Sequence, residues 1–146
     1  MRPDSETIEA WRLMLEAHQR LTTQMDLELR REHGLRLDWY DVLYQLTAAG
    51  GRMRMHELAE ATLFSRTDCT RIVDRMERAG LVQRERAVED GRGVYAVMTA
   101  EGRALFREAA GTHLDDIQRL FGANVTPEEA SSMATALART LEAAAE

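Results

Sequence analysis

A capped amphipathic helix, followed directly by two short strand-like segments, constrains this fold more than any other feature of the chain. Ser65 is a preferred N-cap residue and Gly80 a typical terminator, so the sequence predicts a helix between them. Its apolar positions have the spacing i, i+3, i+4 and i+7: Cys69, Ile72, Val73 and Met76. This spacing predicts one buried face and leaves the opposite and flanking faces polar.

The segments on either side of this helix predict a winged helix-turn-helix. A short helix over about 55–61 and a turn at 62–64 precede Ser65. After Gly80, residues 81–87 and 94–98 are strand-like, and the polar stretch 88–93 between them contains two glycines, which indicates a β-hairpin. The predicted fold class is therefore mostly α with a small β-hairpin wing.

The polar face of the 65–80 helix has the residue types that read DNA. Arginine can bind guanine with two hydrogen bonds, and threonine can contact a thymine methyl group or a polar base edge. The candidate recognition residues are Ser65, Arg66, Thr67, Thr70 and Arg71. An ordinary solvated helix face is the alternative, and the hairpin that follows favours DNA binding.

The hairpin supplies a second set of candidate DNA contacts. Arg92 stands between Gly91 and Gly93, and an arginine on such a thin tip can enter a narrow minor groove. Asp90 can hold that arginine in position, while Arg84 and Arg86 can reach phosphates.

Helices are predicted on both sides of this lobe. Ser5 is expected to cap a first helix that ends before Gly34, and Asp38 with Asp41 has the spacing of a capping box for a second. Thr99 caps a helix to about residue 120, and Thr126 precedes a last helix that runs to the end of the sequence. We therefore expect a single domain, 1–146, with dimerisation helices at 1–34 and 100–146 and a DNA-binding lobe at 38–98.

A dimer follows from the terminal helices, because a small lobe cannot cover both of their apolar faces. Two-fold symmetry would place two recognition helices about 34 Å apart, which is one turn of a palindromic DNA site. The apolar residues that need a partner are Leu105, Leu114, Ile117, Leu120, Phe121, Met133, Leu137 and Leu141.

Composition is consistent with this picture. The net charge is −6, yet the stretch 52–92 holds nine arginines against eight acidic residues, so its charge balance differs from that of the acidic ends. All basic residues are arginine, and Cys69 is the only cysteine, so no internal disulfide can form. No apolar run reaches the length of a membrane span and the first eight residues are not a secretory signal, so a cytoplasmic protein is expected.

Several short motifs occur together in a specific order. They are Ser65-Arg66-Thr67, Thr70-Arg71-Ile72-Val73-Asp74-Arg75-Met76-Glu77, Ala79-Gly80-Leu81-Val82, Asp90-Gly91-Arg92, Met98-Thr99 and Glu101-Gly102-Arg103. In order and spacing the chain resembles the MarR family of winged helix-turn-helix regulators over nearly its whole length. The resemblance implies a dimeric regulator, a repressor by default, that uses the candidate residues above on DNA. One departure is Gly91, where an additional arginine is common.

The resemblance also implies release from DNA by a small effector. An aromatic carboxylate could pair with an arginine, hydrogen-bond to a histidine and lie against aromatic rings. The candidate effector residues are Trp11, Arg12, His18, Trp39 and Tyr40. A core tryptophan, a solvated arginine and an interface histidine are the alternative reading of the first three.

Other functions have less support in the sequence. Redox sensing would have to use Cys69, which falls on the buried stripe, and metal sensing would have to gather scattered histidines in the dimer. We predict no cofactor, no metal and no enzymatic activity, because phosphate-binding, nucleophile-elbow and zinc-protease motifs are missing. A helix-turn-helix that acts as an interaction module without ligand control is the remaining alternative.

Overall fold

The computed structural model describes residues 1–89 and 91–145 and confirms a mostly helical fold with a small sheet. In chain order the elements are α1 Ser5–His33, α2 Leu37–Ala48, β1 Arg52–Arg54, α3 Met55–Thr62, α4 Arg66–Arg78, β2 Val82–Arg86, β3 Val94–Met98, α5 Ala100–Leu120, a 3-10 turn Gly122–Asn124, and α6 Pro127–Ala144. The chain divides into two compact units, one from Met1 to Thr112 and one from His113 onward.

The sheet has three antiparallel strands in the order β1-β3-β2. The predicted hairpin is present, with Val82 opposite Met98 and Arg86 opposite Val94. The third strand, β1, was not predicted. It pairs with the outer edge of β3, where Arg54 lies opposite Tyr95, and so covers an edge that would otherwise be open.

The core of the first unit lies where α2, α3, α4 and the sheet meet. Its fully buried side chains include Leu43, Leu46, Leu58, Val73 and Val82. The whole predicted stripe of α4 belongs to this core, with exposed fractions of 9% or less: Cys69, Ile72, Val73 and Met76. The buried stripe fixes which face of α4 is turned to solvent.

Two predicted helix starts are wrong in detail. Ser5 is the first residue of α1, and Asp4 is the cap, because its carboxylate accepts a hydrogen bond from the Thr7 backbone N–H at 2.7 Å. Asp38 and Asp41 form no capping box, since α2 starts at Leu37 and no side chain of its N-cap residue caps it. The Leu37 N–H instead donates to Asp26 of α1 at 2.8 Å, so a neighbouring helix satisfies the exposed donor.

The other predicted caps are present. Ser65 accepts a hydrogen bond from the Asp68 N–H at 3.0 Å, and Thr126 with Glu129 forms a reciprocal capping box. Thr99 accepts from the Gly102 N–H at 3.0 Å and donates to the Gly80 carbonyl at 2.6 Å, which joins the start of α5 to the end of α4. Within the described residues, no helix is both long and apolar enough to cross a membrane.

Candidate nucleic-acid interface

The first part of the candidate interface is the exposed face of α4. Arg66, Thr67, Thr70 and Arg71 are all exposed on the side opposite the buried stripe. Thr70 donates its hydroxyl hydrogen to the Arg66 carbonyl at 2.9 Å, and Arg71 pairs with Asp68 one turn earlier. No ion pair joins Arg66 to another residue that the structure describes. The Ser65 cap stabilises the first turn of α4, in which the side chain of Arg66 is exposed to solvent.

The turn between α3 and α4 contains a strained residue. Leu63 has a φ of 64° and a ψ of 17°, and it is the one non-glycine residue with positive φ among the described positions. Its side chain is 90% exposed, so packing does not explain the choice of a leucine here. This left-handed residue ends α3 and lets the chain turn into the cap of α4.

The wing is closed by short backbone hydrogen bonds. The Ala87 N–H donates to the Gly93 carbonyl at 2.8 Å, and the Gly91 N–H donates to the Ala87 carbonyl at 3.0 Å. Gly91 has a φ of 66°, a backbone conformation that residues with a Cβ atom rarely adopt. Arg92 is exposed at the tip. Asp90, expected to hold it, lies outside the described residues.

The sequence analysis missed an arginine–tyrosine cluster on the sheet. The guanidinium of Arg52 lies 3.8 Å from the centre of the Tyr95 ring, and that of Arg54 lies 4.9 Å from it. Arg54 also packs over Gly93, where a Cβ atom would collide with its guanidinium. The alternating polar and apolar residues Arg52-Met53-Arg54 follow two glycines, and this pattern could have predicted a strand. Such a strand, paired with the hairpin, would have put both arginines beside the wing.

The two arginines of β2 have different environments. Arg86 is exposed, as a phosphate contact requires. Arg84 is folded back onto α4, where its side chain is 25% exposed and contacts Asp74 and Glu77, each at 3.3 Å. A cleft of about 750 Å³ lies beside it, lined by Arg66, Thr67, Thr70, Arg71, Asp74 and Arg84. The predicted contact of Arg84 with phosphate stays a prediction, and its surroundings favour a different role.

The candidate effector residues differ in their exposure. Trp11, Arg12 and His18 are exposed on α1, and Arg12 is already paired with Glu9 at 2.8 Å and with Glu16 at 3.0 Å. Trp39 is half-buried. Tyr40 is a core residue, 5% exposed, with its ring 5.3 Å from that of Phe106.

A mixed-charge cleft does involve one of these residues. His18 lines a cleft of about 610 Å³ together with side chains from α1, α2 and the turn that holds Leu63. Arg30 and Arg36 line it too, but each is paired with an aspartate. Burial, followed by the nearby charge of Asp38, raises the pKa of Asp41 in this cleft to about 6.

The environment of Cys69 matches that of a structural cysteine. Its side chain is 1% exposed, and burial raises the pKa of the thiol while the nearby charge of Arg84 lowers it by less. A buried thiol with a raised pKa forms little thiolate, the form that reacts with peroxide. Within 1–89 and 91–145, no group of three or more His, Cys, Asp or Glu residues could hold a metal ion.

Comparison with known proteins agrees with this geometry. A sequence model of the MarR family matches residues 33–93, which include α2, α3, α4 and β2 and end just before β3. The homoprotocatechuate degradative operon repressor of Escherichia coli is 34% identical over 87 residues, which are 60% of this chain and 58% of that protein. The matched segment therefore spans little more than half of that relative's length.

Two solved structures are similar over almost the whole chain. AbsC, a MarR family transcriptional regulator from Streptomyces coelicolor, is 34% identical, with a TM-score of 0.89 and coverage of 97% of this chain and 96% of AbsC. Sco3205, a MarR family regulator from the same organism solved in complex with DNA, is 30% identical, with a TM-score of 0.90 and coverage of 98% and 90%. These relatives are regulators, which confirms the expectation that the chain is not an enzyme. The chain belongs to the MarR family of DNA-binding transcriptional regulators.

Proposed function

We propose that two copies of this chain bind an inverted-repeat operator and repress transcription until a small aromatic acid releases them. Each α4 lies in a major groove, and each wing places Arg92 in the adjacent minor groove. The observation that carries the proposal is the exposed Arg and Thr face of α4, which stands beside the wing and is backed by a fully buried stripe. This is the arrangement that helix-turn-helix recognition requires.

Roles on DNA follow from the surroundings of each side chain. Arg66 and Arg71 are long, exposed and close to the N-terminal end of α4, where such helices read base edges. The ion pair of Arg71 with Asp68 is exposed on both sides and so costs little to exchange for a guanine. Arg86 is exposed on the wing and contacts phosphate.

The experiment first selects the operator from random duplexes and then measures affinity by fluorescence anisotropy at several salt concentrations. Arg71→Ala is expected to cost about 1–3 kcal/mol and to relax the preference at one position in each half-site. Arg86→Ala should weaken all sequences equally and lower the salt slope by about one. Arg20→Ala removes an arginine of α1 whose side chain is 79% exposed, and it should change neither quantity. Equal affinities for all four proteins would refute this docking.

Dimerisation is supported by apolar stripes that one chain leaves uncovered. On α1, Ile8, Trp11 and Leu15 share one face, and each is more than half exposed. On α6, Met133, Leu137 and Leu141 recur every four residues and are 42%, 42% and 71% exposed. Contiguous exposed apolar surface of this kind marks a protein interface.

Sedimentation analysis tests the dimer. The double variant Leu137→Glu/Leu141→Glu places two charges on the α6 stripe and should convert the protein to a monomer that binds one half-site weakly. Leu63→Glu charges a leucine that lies outside the terminal helices and is 90% exposed, and this variant should remain a dimer. A wild-type protein that sediments as a monomer at operator-binding concentrations would contradict the proposal.

An aromatic carboxylate as effector is supported by the name of one relative, which represses a homoprotocatechuate degradative operon. Homoprotocatechuate is itself an aromatic carboxylic acid. Trp11, Arg12 and His18 lie within two turns of one exposed helix, and the arginine pairs of that helix are solvent-exposed and easily exchanged. Contact between an effector and Tyr40 needs a rearrangement, because Tyr40 is buried in the core of the chain.

Titration of homoprotocatechuate and benzoate into the protein–operator complex tests the effector. Either acid should lower the operator affinity of the wild-type protein, because it binds the DNA-free conformation more tightly. Arg12→Ala should lose this response. Arg20→Ala is the matched control, since Arg20 also pairs with Glu16 on α1, and it should keep the response. Operator binding that neither acid changes would refute an effector of this class.

A further inference from the structure

Arg84 joins the wing to the recognition helix through its backbone N–H and both terminal nitrogens of its guanidinium. Its Nη1 atom lies 3.3 Å from a carboxylate oxygen of Asp74 and 3.3 Å from one of Glu77, and its Nη2 donates to the Thr70 carbonyl at 2.8 Å. Its backbone N–H donates to the second carboxylate oxygen of Glu77 at 2.8 Å. Residues on three successive turns of α4 therefore hold one residue of β2.

The guanidinium of Arg84 is already bound within the protein, whereas an arginine that contacts phosphate has its guanidinium exposed to solvent. The guanidinium is shared between two carboxylates and a carbonyl, and its side chain is only 25% exposed. A phosphate would have to displace several hydrogen bonds and ion pairs at once, rather than a single surface ion pair. Arg86, two residues further along the same strand, is exposed and makes no such set of contacts with the residues that the structure describes.

We propose that Arg84 is a positioning residue, which fixes the orientation of the wing relative to α4 so that both reach DNA together. The inference rests on the proposed docking, in which α4 enters the major groove and the wing enters the minor groove. The segment 79–81 that joins α4 to β2 is short but includes Gly80, with a φ of 80°, and the β2–β3 hairpin extends well beyond it. The buried Val82 and the pairing of β3 with β1 hold the base of the hairpin, and the contacts of Arg84 with α4 restrain its orientation beyond that base.

A fixed orientation matters because α4 and the wing contact DNA at two separate places, and both contacts form together only if the distance between them matches the grooves. If the hairpin moves relative to α4, ordering it on DNA costs conformational entropy, and affinity falls although no DNA contact is lost. The role of Arg84 is then indirect. Specific binding should depend on it strongly, whereas the number of phosphates neutralised should not depend on it at all.

Replacing Asp74 and Glu77 by their amides tests the proposal, because positioning and simple electrostatic attraction predict changes in operator affinity of opposite sign. Asp74→Asn/Glu77→Gln removes two negative charges beside the DNA-facing cleft. Simple attraction to phosphate predicts tighter binding as a result. The positioning role predicts operator binding weakened by about tenfold, because amides hold a guanidinium less well than carboxylates. Arg78→Ala controls for the second ion pair of Asp74 and should leave affinity unchanged.

Substitution of Arg84 itself gives a second, independent readout. Arg84→Met keeps the length of the side chain and should weaken operator binding about tenfold with an unchanged salt slope, whereas Arg86→Met should lower that slope by about one. Arg84→Lys restores the charge but cannot reach three acceptors at once, so it should not rescue binding. Thermal melting of each variant in the absence of DNA establishes that it is folded at the assay temperature.

Three results would overturn the positioning role: a salt slope lowered by one in Arg84→Met, rescue by Arg84→Lys, or tighter binding by Asp74→Asn/Glu77→Gln. The first two would make Arg84 a phosphate contact, and the third would show that the acids act on DNA binding only through their charge. A failure of the docking itself has a different signature, because Arg66→Ala and Arg71→Ala would then leave operator binding unchanged as well. The two failures are therefore distinguishable within one set of measurements.

Discussion

The turn before the recognition helix offers a stability prediction that can be worked from the backbone alone. Leu63 has a φ of 64° and is 90% exposed. A left-handed conformation costs a residue with a Cβ atom about 1–2 kcal/mol, and an exposed side chain recovers little of that by burial. Glycine removes the cost but adds about 0.4–1 kcal/mol of conformational entropy to the unfolded chain. Leu63→Gly should therefore be more stable than the wild-type protein by about 1 kcal/mol.

Two further variants separate backbone strain from the loss of the leucine side chain. Leu63→Ala loses the side chain but keeps the Cβ atom, so its stability should equal that of the wild-type protein. Leu63→Asn should be stabilised as glycine is, because asparagine tolerates the left-handed region. Urea unfolding at one fixed protein concentration measures all four proteins, and the gain corresponds to about 2–4 °C in Tm. A Leu63→Gly protein no more stable than Leu63→Ala would refute the reasoning.

Three further predictions concern the cleft, the core and the sheet. Asp41 has a folded-state pKa of about 6, so its protonated form favours the folded protein. This contribution to the free energy of unfolding is complete below about pH 4 and is lost as pH rises through 6. Asp41→Asn should therefore make the melting temperature less dependent on pH between 4 and 6 and raise it at pH 7. Cys69 should resist thiol reagents and peroxide in the native protein, and operator binding that falls on peroxide treatment in wild type but not in Cys69→Ser would contradict this. Tyr95→Leu should destabilise the sheet by about 0.5–1 kcal/mol in urea unfolding, whereas Tyr95→Phe, which keeps the ring under Arg52, should not.

The parts of the fold that local rules govern were predictable. The α4 cap, its buried stripe and the Thr126 capping box each depend on residues close together in one helix, and the β2–β3 hairpin joins two consecutive segments through one short turn. The missed elements depend on partners that are distant in sequence. Strand β1 is three residues long and exists because β3 lies beside it, and the first donor of α2 is satisfied by Asp26 from a different helix.

The candidate site shows the same division. Exposure of Arg66, Thr67, Thr70 and Arg71 followed directly from the period of the buried stripe. The environment of Arg84 did not, because its position on a strand says nothing about whether its guanidinium turns to solvent or back to α4. The carboxylates that decide the matter stand ten and seven residues earlier on another element. The sequence therefore predicted the exposure of Arg66 and Arg71 but not the direction in which the Arg84 side chain turns.

The distribution of charge on α4 bears on how an acidic protein distinguishes its operator from other DNA. The net charge of the chain is −6, and the acids of α4 are paired with its own arginines or with Arg84. Non-specific binding depends on neutralised phosphates, so a face with few surplus cations attracts an arbitrary duplex weakly. Affinity must then come from contacts that only the correct sequence completes, and these require α4 and the wing to be correctly oriented before they bind. Two of these acids, Asp74 and Glu77, also hold Arg84, so they serve both requirements.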